Sequence, residues 1–180
     1  MAKIVLVTGG CRSGKSAYAQ RLAESLPSRR LFVATCPVTD EEMRLRIEAH
    51  QQARLDQGWE TVEEQVELAT VFRRHGECEA VLVDCLTLWV NNLMHYAEQA
   101  GRSISEWDIA EICRETLMPA RQRRGTVIFV TNEVGLGVVP DNAVARRYRD
   151  LLGRANQTIA AEADTVTLVT CGIPWNLKST

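Results

Sequence analysis

The sequence predicts an α/β protein of three layers, with a mostly parallel, doubly wound sheet between helices. Three observations carry that expectation. Five short apolar runs are continuous rather than alternating, as strands covered on both faces require. Helical patterns fill the gaps, so strand and helix alternate, and right-handed crossovers then bring strands parallel. The chain has 180 residues, 46% of them apolar, which suits a single domain spanning 1–180 with one substantial core.

The elements follow in order. KIVLVTG (3–9) reads as the first strand and residues 14–26 as the helix after it. RLFVATC (30–36) is the second strand, followed by a helix over 40–57. GWETVEE (58–64) is less regular and is expected to form a short extra strand, antiparallel at a sheet edge. A helix over 64–75 leads to the strand EAVLVDCL (79–86), and helices around 87–100 and 105–123 lead to TVIFVTNE (126–133). A long helix over 141–163 and the strand TVTLVTCG (165–172) complete the pattern. In such sheets ligands bind at the carboxyl ends of the strands, so function is expected in the loops there.

Composition narrows the partners. A formal charge of −2 and a pI near 6 give no basic field for nucleic acid, which favours small-molecule ligands. The opening MAKIVLVTGG is too short an apolar run for a signal peptide, and no run of about 18 apolar residues suggests a membrane span. A cytoplasmic protein is expected. The six cysteines, Cys11, Cys36, Cys78, Cys85, Cys113 and Cys171, form no C-x-x-C pair. They suggest neither a disulfide framework nor a His/Cys metal cluster, and most are expected to be small core residues of a reducing compartment.

Chemistry enters with residues Gly9, Gly10, Cys11, Arg12, Ser13, Gly14, Lys15 and Ser16, which fit G-x-x-x-x-G-K-[ST] between a predicted strand and helix. The glycines let backbone N–H groups turn inward as an anion cradle at a helix N-terminus. Lys15 is expected to reach the β- and γ-phosphates of a nucleotide, and the Ser16 hydroxyl to ligate Mg²⁺. Asp84, at the end of EAVLVDCL, fits a second Mg²⁺ ligand; it also fits an N-cap for the helix near Thr87. In the 40–57 helix, Arg46, His50 and Arg54 recur at i+4. Two flanking cations would keep His50 neutral and able to attack phosphorus, whereas a solvated face with Arg46 and Arg54 paired to acids fits the same spacing.

The loop TNEVGLGVVPDN (131–142) lies at the same sheet edge. Asn132 and Glu133 are candidates for substrate or γ-phosphate contact, while Gly135 and Gly137 suit turns and Pro140 the start of a helix. Arg146, Arg147 and Arg149 fit a solvated face paired to Asp141 and Asp150, and Trp89, Trp107 and Trp175 fit packing or interface roles. A phosphate loop leaves kinase, nucleotidyltransferase and GTP-switch functions open. TNEV has Glu where a guanine-recognition N/T-K-x-D motif needs Lys, which speaks against a switch.

The segments TGGCRSGKS (8–16), ATC (34–36), DEEMRLRIEAH (40–50), WETVE (59–63), VLVDCLTLWVNNL (81–93) and 131–164 resemble the bifunctional adenosylcobinamide kinase / adenosylcobinamide-phosphate guanylyltransferase family. T-N-E-V-G-x-G-V-V-P, R-R-Y-R-D and G-x-x-N-Q carry most of that likeness. The resemblance implies a RecA-like P-loop fold and a homotrimer. It implies phosphorylation of adenosylcobinamide by ATP or GTP, then transfer of GMP from GTP through a guanylylated histidine, releasing pyrophosphate. The family's R-I-x-x-H falls on Arg46, Ile47 and His50, making His50 the matching nucleophile. It also implies nucleotide contacts from residues 9–16, Ala34, Thr35, Cys36, Gln51, Gln52, Ala53, Arg54, Glu63 and Asp84, with the loop after His50 about a residue longer than the family's.

Overall fold

The computed structural model describes residues 1–26, 29–37 and 58–179. Its sheet contains β1 (Lys3–Gly9), β2 (Arg30–Ala34), β3 (Trp59–Glu63), β4 (Ala80–Asp84), β5 (Thr126–Val130), β6 (Thr165–Thr170) and β7 (Ile173–Ser179). Their order is β3-β2-β4-β5-β1-β6-β7. The first six strands pair in parallel, and β7 runs antiparallel to β6. The described helices are α1 (Lys15–Glu24), α2 (Leu68–Arg74), α3 (Leu86–Gln99), α4 (Glu106–Gln122) and α5 (Ala143–Glu162), with one 3₁₀ turn at Val134–Leu136.

The continuous apolar runs follow from coverage on both faces. Ile4 and Leu6 of β1 belong to the cluster with Trp89 of α3, Ile109 and Leu117 of α4, and Leu152 and Ile159 of α5. Their neighbours Val5 and Val7 belong to a second cluster with Ala19 and Ala23 of α1. Alternate side chains enter opposite cores, so no position in the strand is left for a polar residue.

Two strand expectations are corrected. β3 is an edge strand but is parallel to β2, with Arg30 opposite Trp59 and Ala34 opposite Glu63. The antiparallel edge lies on the other side, in β7, which the sequence reading missed. Cys171 (φ 52°) and Gly172 (φ 78°) form its turn. Two left-handed residues are what a tight hairpin requires, but here Cys stands where Asn or Asp would signal one.

Helix ends also have local causes. α2 begins at Leu68 rather than 64 because the Glu64 carboxylate accepts the N–H groups of Val66 and Glu67, both at 2.8 Å, and holds a turn. Ser105 and Asp108 form a reciprocal capping box for α4. α5 starts at Ala143, capped by the Asn142 side chain, so Pro140 precedes the helix rather than opening it. The expected 40–57 helix lies outside the described residues. Among the described residues no helix is long and apolar enough to cross a membrane.

Candidate active site

The glycine-rich segment leaves the carboxyl end of β1, between β5 and β6. A Cβ on Gly9 would stand 2.4 Å from the Val169 carbonyl oxygen and 2.7 Å from Ser13 Oγ, so only glycine fits there. The backbone then turns through left-handed conformations at Arg12 (φ 54°) and Gly14 (φ 92°), and Gly14 is the N-cap of α1. Lys15 is 8% exposed, and its Nζ donates to the Gly10 carbonyl at 3.0 Å. The ammonium is thereby held over its own loop. Cys11, Arg12 and Ser16 are exposed, and Ser13 Oγ is buried with no hydrogen-bond partner.

Beside this loop the register aligns Glu63, Ala34 and Asp84 at the ends of β3, β2 and β4. α1 packs on β4, bringing the helix that begins with Lys15 and Ser16 to the strand that ends in Asp84. The N-cap of α3 is Cys85 rather than Asp84. Burial, and then the Asp84 charge, push the Cys85 thiol above its ordinary range.

Thr35 bonds to the backbone that follows β4. It is fully buried; its hydroxyl donates to the Cys85 carbonyl and accepts the Cys85 N–H, both at 2.8 Å. Its own N–H donates to the Asp84 carbonyl, and its carbonyl accepts from Asn92 Nδ2. Thr35 lies under the site and fixes the backbone that carries Asp84. Ala34 and Cys36 flank it at the edge. His50, Gln51, Gln52, Ala53 and Arg54, with Arg46, lie outside the described residues.

The loop after β5 is tied down by residues whose roles the sequence did not disclose. Thr8 donates to Glu133 Oε1 at 2.6 Å, and the Glu133 N–H donates to the Gly9 carbonyl at 3.2 Å. Asn132 donates through both its N–H and Nδ2 to Thr87 Oγ1, while its Oδ1 is buried without a partner. Buried Asn156 of α5 accepts from the Thr131 hydroxyl and donates to the Asn132 carbonyl. The G-x-x-N-Q motif thus supplies a strut to the sheet edge. Its signal was a polar residue at a helix position flanked by core residues Leu152 and Ile159.

Arg149 pairs with Asp150 at 3.6 Å as expected. Arg146 instead donates to the backbone carbonyls of Pro140 and Asp141, and Arg147 to Ser103 Oγ and the Ile104 carbonyl. Trp89 is a packing residue whose Nε1 donates to the Val66 carbonyl; Trp107 and Trp175 are exposed.

This loop, on the parallel edge that carries Asp84, makes the chain a P-loop nucleotide-binding protein of α/β architecture. In fold it is similar to a type III secretion system ATPase, with a TM-score of 0.56 at 11% identity, covering 93% of this chain and 51% of that one. The family model described as cobinamide kinase / cobinamide phosphate guanyltransferase matches residues 5–177, and the chain belongs to that family. The bifunctional adenosylcobalamin biosynthesis protein CobU of Salmonella typhimurium is 40% identical, over 97% of this chain and 99% of its own. The protein of the same name from Escherichia coli is 41% identical with the same coverage, and CobP of Pseudomonas aeruginosa is 40% identical over 96% of each chain.

Proposed function

We propose that the chain phosphorylates adenosylcobinamide with a nucleoside triphosphate and then transfers GMP from GTP to that phosphate. The products are adenosylcobinamide-GDP and pyrophosphate, in cobalamin biosynthesis. The observation that carries this reading is Lys15, buried and bonded to its own loop at Gly10. A cation so placed can exchange a carbonyl for a phosphate oxygen, and both reactions build charge on phosphate oxygens at such a loop.

In the kinase step the substrate hydroxyl attacks the γ-phosphorus in line, and Lys15 with the inward N–H groups stabilises the transferring group. In the second step a His50 ring nitrogen attacks the α-phosphorus of GTP. A P–N bond forms as the bridging P–O bond breaks, and pyrophosphate leaves. A phosphate oxygen of adenosylcobinamide phosphate then attacks the same phosphorus, and the imidazole departs. His50 enters through the match of R-I-x-x-H to Arg46, Ile47 and His50. Contacts to nucleotide are assigned to residues 9–16, Ala34, Thr35, Cys36, Gln51 to Arg54, Glu63 and Asp84, with Thr35 also fixing the backbone that carries Asp84.

Ser16 and Asp84 offer a hydroxyl and a carboxylate, hard oxygen donors that suit Mg²⁺. Bound with the nucleotide, the ion supplies charge neutralisation to the phosphates. A homotrimer is part of the same reading, and the outward Ile173, Trp175 and Leu177, at alternate positions of β7, suit a subunit contact.

The test is incubation with GTP labelled at the α-phosphate, followed by denaturing electrophoresis. Wild-type chain should carry acid-labile, base-stable label; His50→Ala should carry none, lose guanylyl transfer and keep kinase activity. Label persisting in the alanine variant would move the nucleophile elsewhere, and no label in the wild type would leave a plain kinase.

A further inference from the structure

At the amino ends of the strands, opposite the phosphate loop, the fold gathers four metal-ligating side chains that the sequence reading did not connect. His75 and Cys78 lie three positions apart, in H-G-E-C, just after α2. The Cys78 N–H donates to the His75 carbonyl, which closes the turn. Buried Arg123 fastens it, donating to the His75 carbonyl at 2.6 Å and to the Cys78 carbonyl. Both side chains face Glu60, the second residue of β3, and Glu77 joins them from the turn itself.

Three of these side chains converge on one another, and His75 adjoins the two glutamates. His75 Nδ1 lies 3.2 Å from Glu60 Oε1 and 3.8 Å from Glu77 Oε1, and Cys78 Sγ lies 3.7 Å from Glu60 Oε2. Ligand atoms of Glu60, Glu77 and Cys78 all lie within 4.8 Å of one another. Zinc bond lengths of ~2.0–2.3 Å set the edges of a tetrahedron at about 3.3–3.6 Å, so enclosing an ion requires the three convergent ligands to contract and the His75 ring to turn in toward Cys78. Among the described residues no other three such ligands converge.

We propose that His75, Cys78, Glu60 and Glu77 form a structural site for a divalent transition metal, zinc by preference. One sulfur, one imidazole nitrogen and two carboxylate oxygens make a mixed donor set, whose thiolate and imidazole favour Zn²⁺ over Mg²⁺ or Ca²⁺. A thiolate and two carboxylates around a divalent cation leave one negative charge. The guanidinium of Arg123, which acts electrostatically on Cys78 and Glu77, balances it. Binding as a thiolate releases the Cys78 proton to solvent. The bound ion would clamp the α2–β4 turn to edge strand β3, far from the phosphate loop.

The experiment uses the full chain, stripped with chelator and without nucleotide, titrated with Co²⁺ and then competed with Zn²⁺. Wild type should bind one ion and show the near-ultraviolet thiolate-to-cobalt band, which Zn²⁺ abolishes; oxygen ligands at Ser16 and Asp84 cannot produce it. Cys78→Ser should lose the band. Glu60→Gln, at an exposed position that does not threaten folding, should weaken Zn²⁺ binding by at least ~10-fold. With chelator present the Glu60 variant should melt where wild type does, and Zn²⁺ should raise the wild-type midpoint more. A wild type without the band at near-millimolar Co²⁺ overturns the proposal. So does a band that survives Cys78→Ser, or Zn²⁺ affinity unchanged by Glu60→Gln.

Discussion

At the amino end of the sheet, Asp164 accepts the Ile4 N–H at 2.6 Å and the Arg121 guanidinium at 2.5 Å, and Arg121 also donates to the carbonyls of Ala2 and Glu162. These bonds join the start of β1, the end of α4 and the end of α5. At the carboxyl end, Lys15 bonds to Gly10, five residues away in its own loop. The difference lies in what breaking each bond releases. Losing the first set unfastens one element from another, whereas trading the second for a phosphate leaves every tertiary link in place. A charge that must be exchanged in each turnover belongs on a bond local to one loop.

Lys15→Ala gives the sharpest contrast and the largest effect. Kinase and guanylyltransferase rates should both fall ~10²- to 10³-fold, with the thermal midpoint nearly unchanged. Steady-state assays of both reactions, with a melt, check it; guanylyl transfer that survives while kinase activity vanishes would break the idea of one shared loop. Thr35→Val lies between the two regimes. It strips both hydrogen bonds from Cys85, so urea unfolding should show a loss of ~1–3 kcal/mol. Both rates should fall too as Asp84 shifts, with Thr35→Ser restoring them; full activity in the valine variant would separate Thr35 from the site.

Asp164→Asn should show the smallest effect, confined to stability. Burial pulls the Asp164 carboxyl up, but hydrogen bonds from Ile4 and Arg121 outweigh it and hold it below the ordinary range. A lowered folded value means its contribution is present above the unfolded value of ~3.9 and is lost as pH falls through the lower folded one. With the side chain partly solvated, at most about 1 kcal/mol is at stake. Urea midpoints against pH should therefore slope less in acid for the asparagine variant, with both activities intact; an equal slope would remove Asp164 from the amino-end network.

The parallel strands and α1 were legible because continuous apolar runs and a glycine-rich turn leave few alternatives. The placement of Lys15, Ser16 and Asp84 was legible for the same reason: the pattern already located the element ends on which they sit. β7 was not, since its residues Ile173, Trp175 and Leu177 are exposed and no core demands them. Thr35, Thr8, Thr87 and Asn156 were opaque as well. Each bonds across the fold to a partner far along the chain, with Thr8 and Glu133 separated by 125 residues, and no local period records such a meeting. The parallel sense of β3 was hidden because direction at an edge is set by the crossover, not by the strand.

The β6–β7 turn ties the end of the chain to its beginning. The Gly172 N–H donates to the Ser13 carbonyl at 2.8 Å, and a Cβ on Gly14 would come within 3.2 Å of the Gly172 Cα. The phosphate loop is thus gauged against a two-residue hairpin more than 150 positions downstream. That gauge forbids drift in length: an insertion between Thr170 and Ile173 would lift the turn off Ser13 even with every P-loop residue intact. In a lineage of such chains, the hairpin and the loop can change only together.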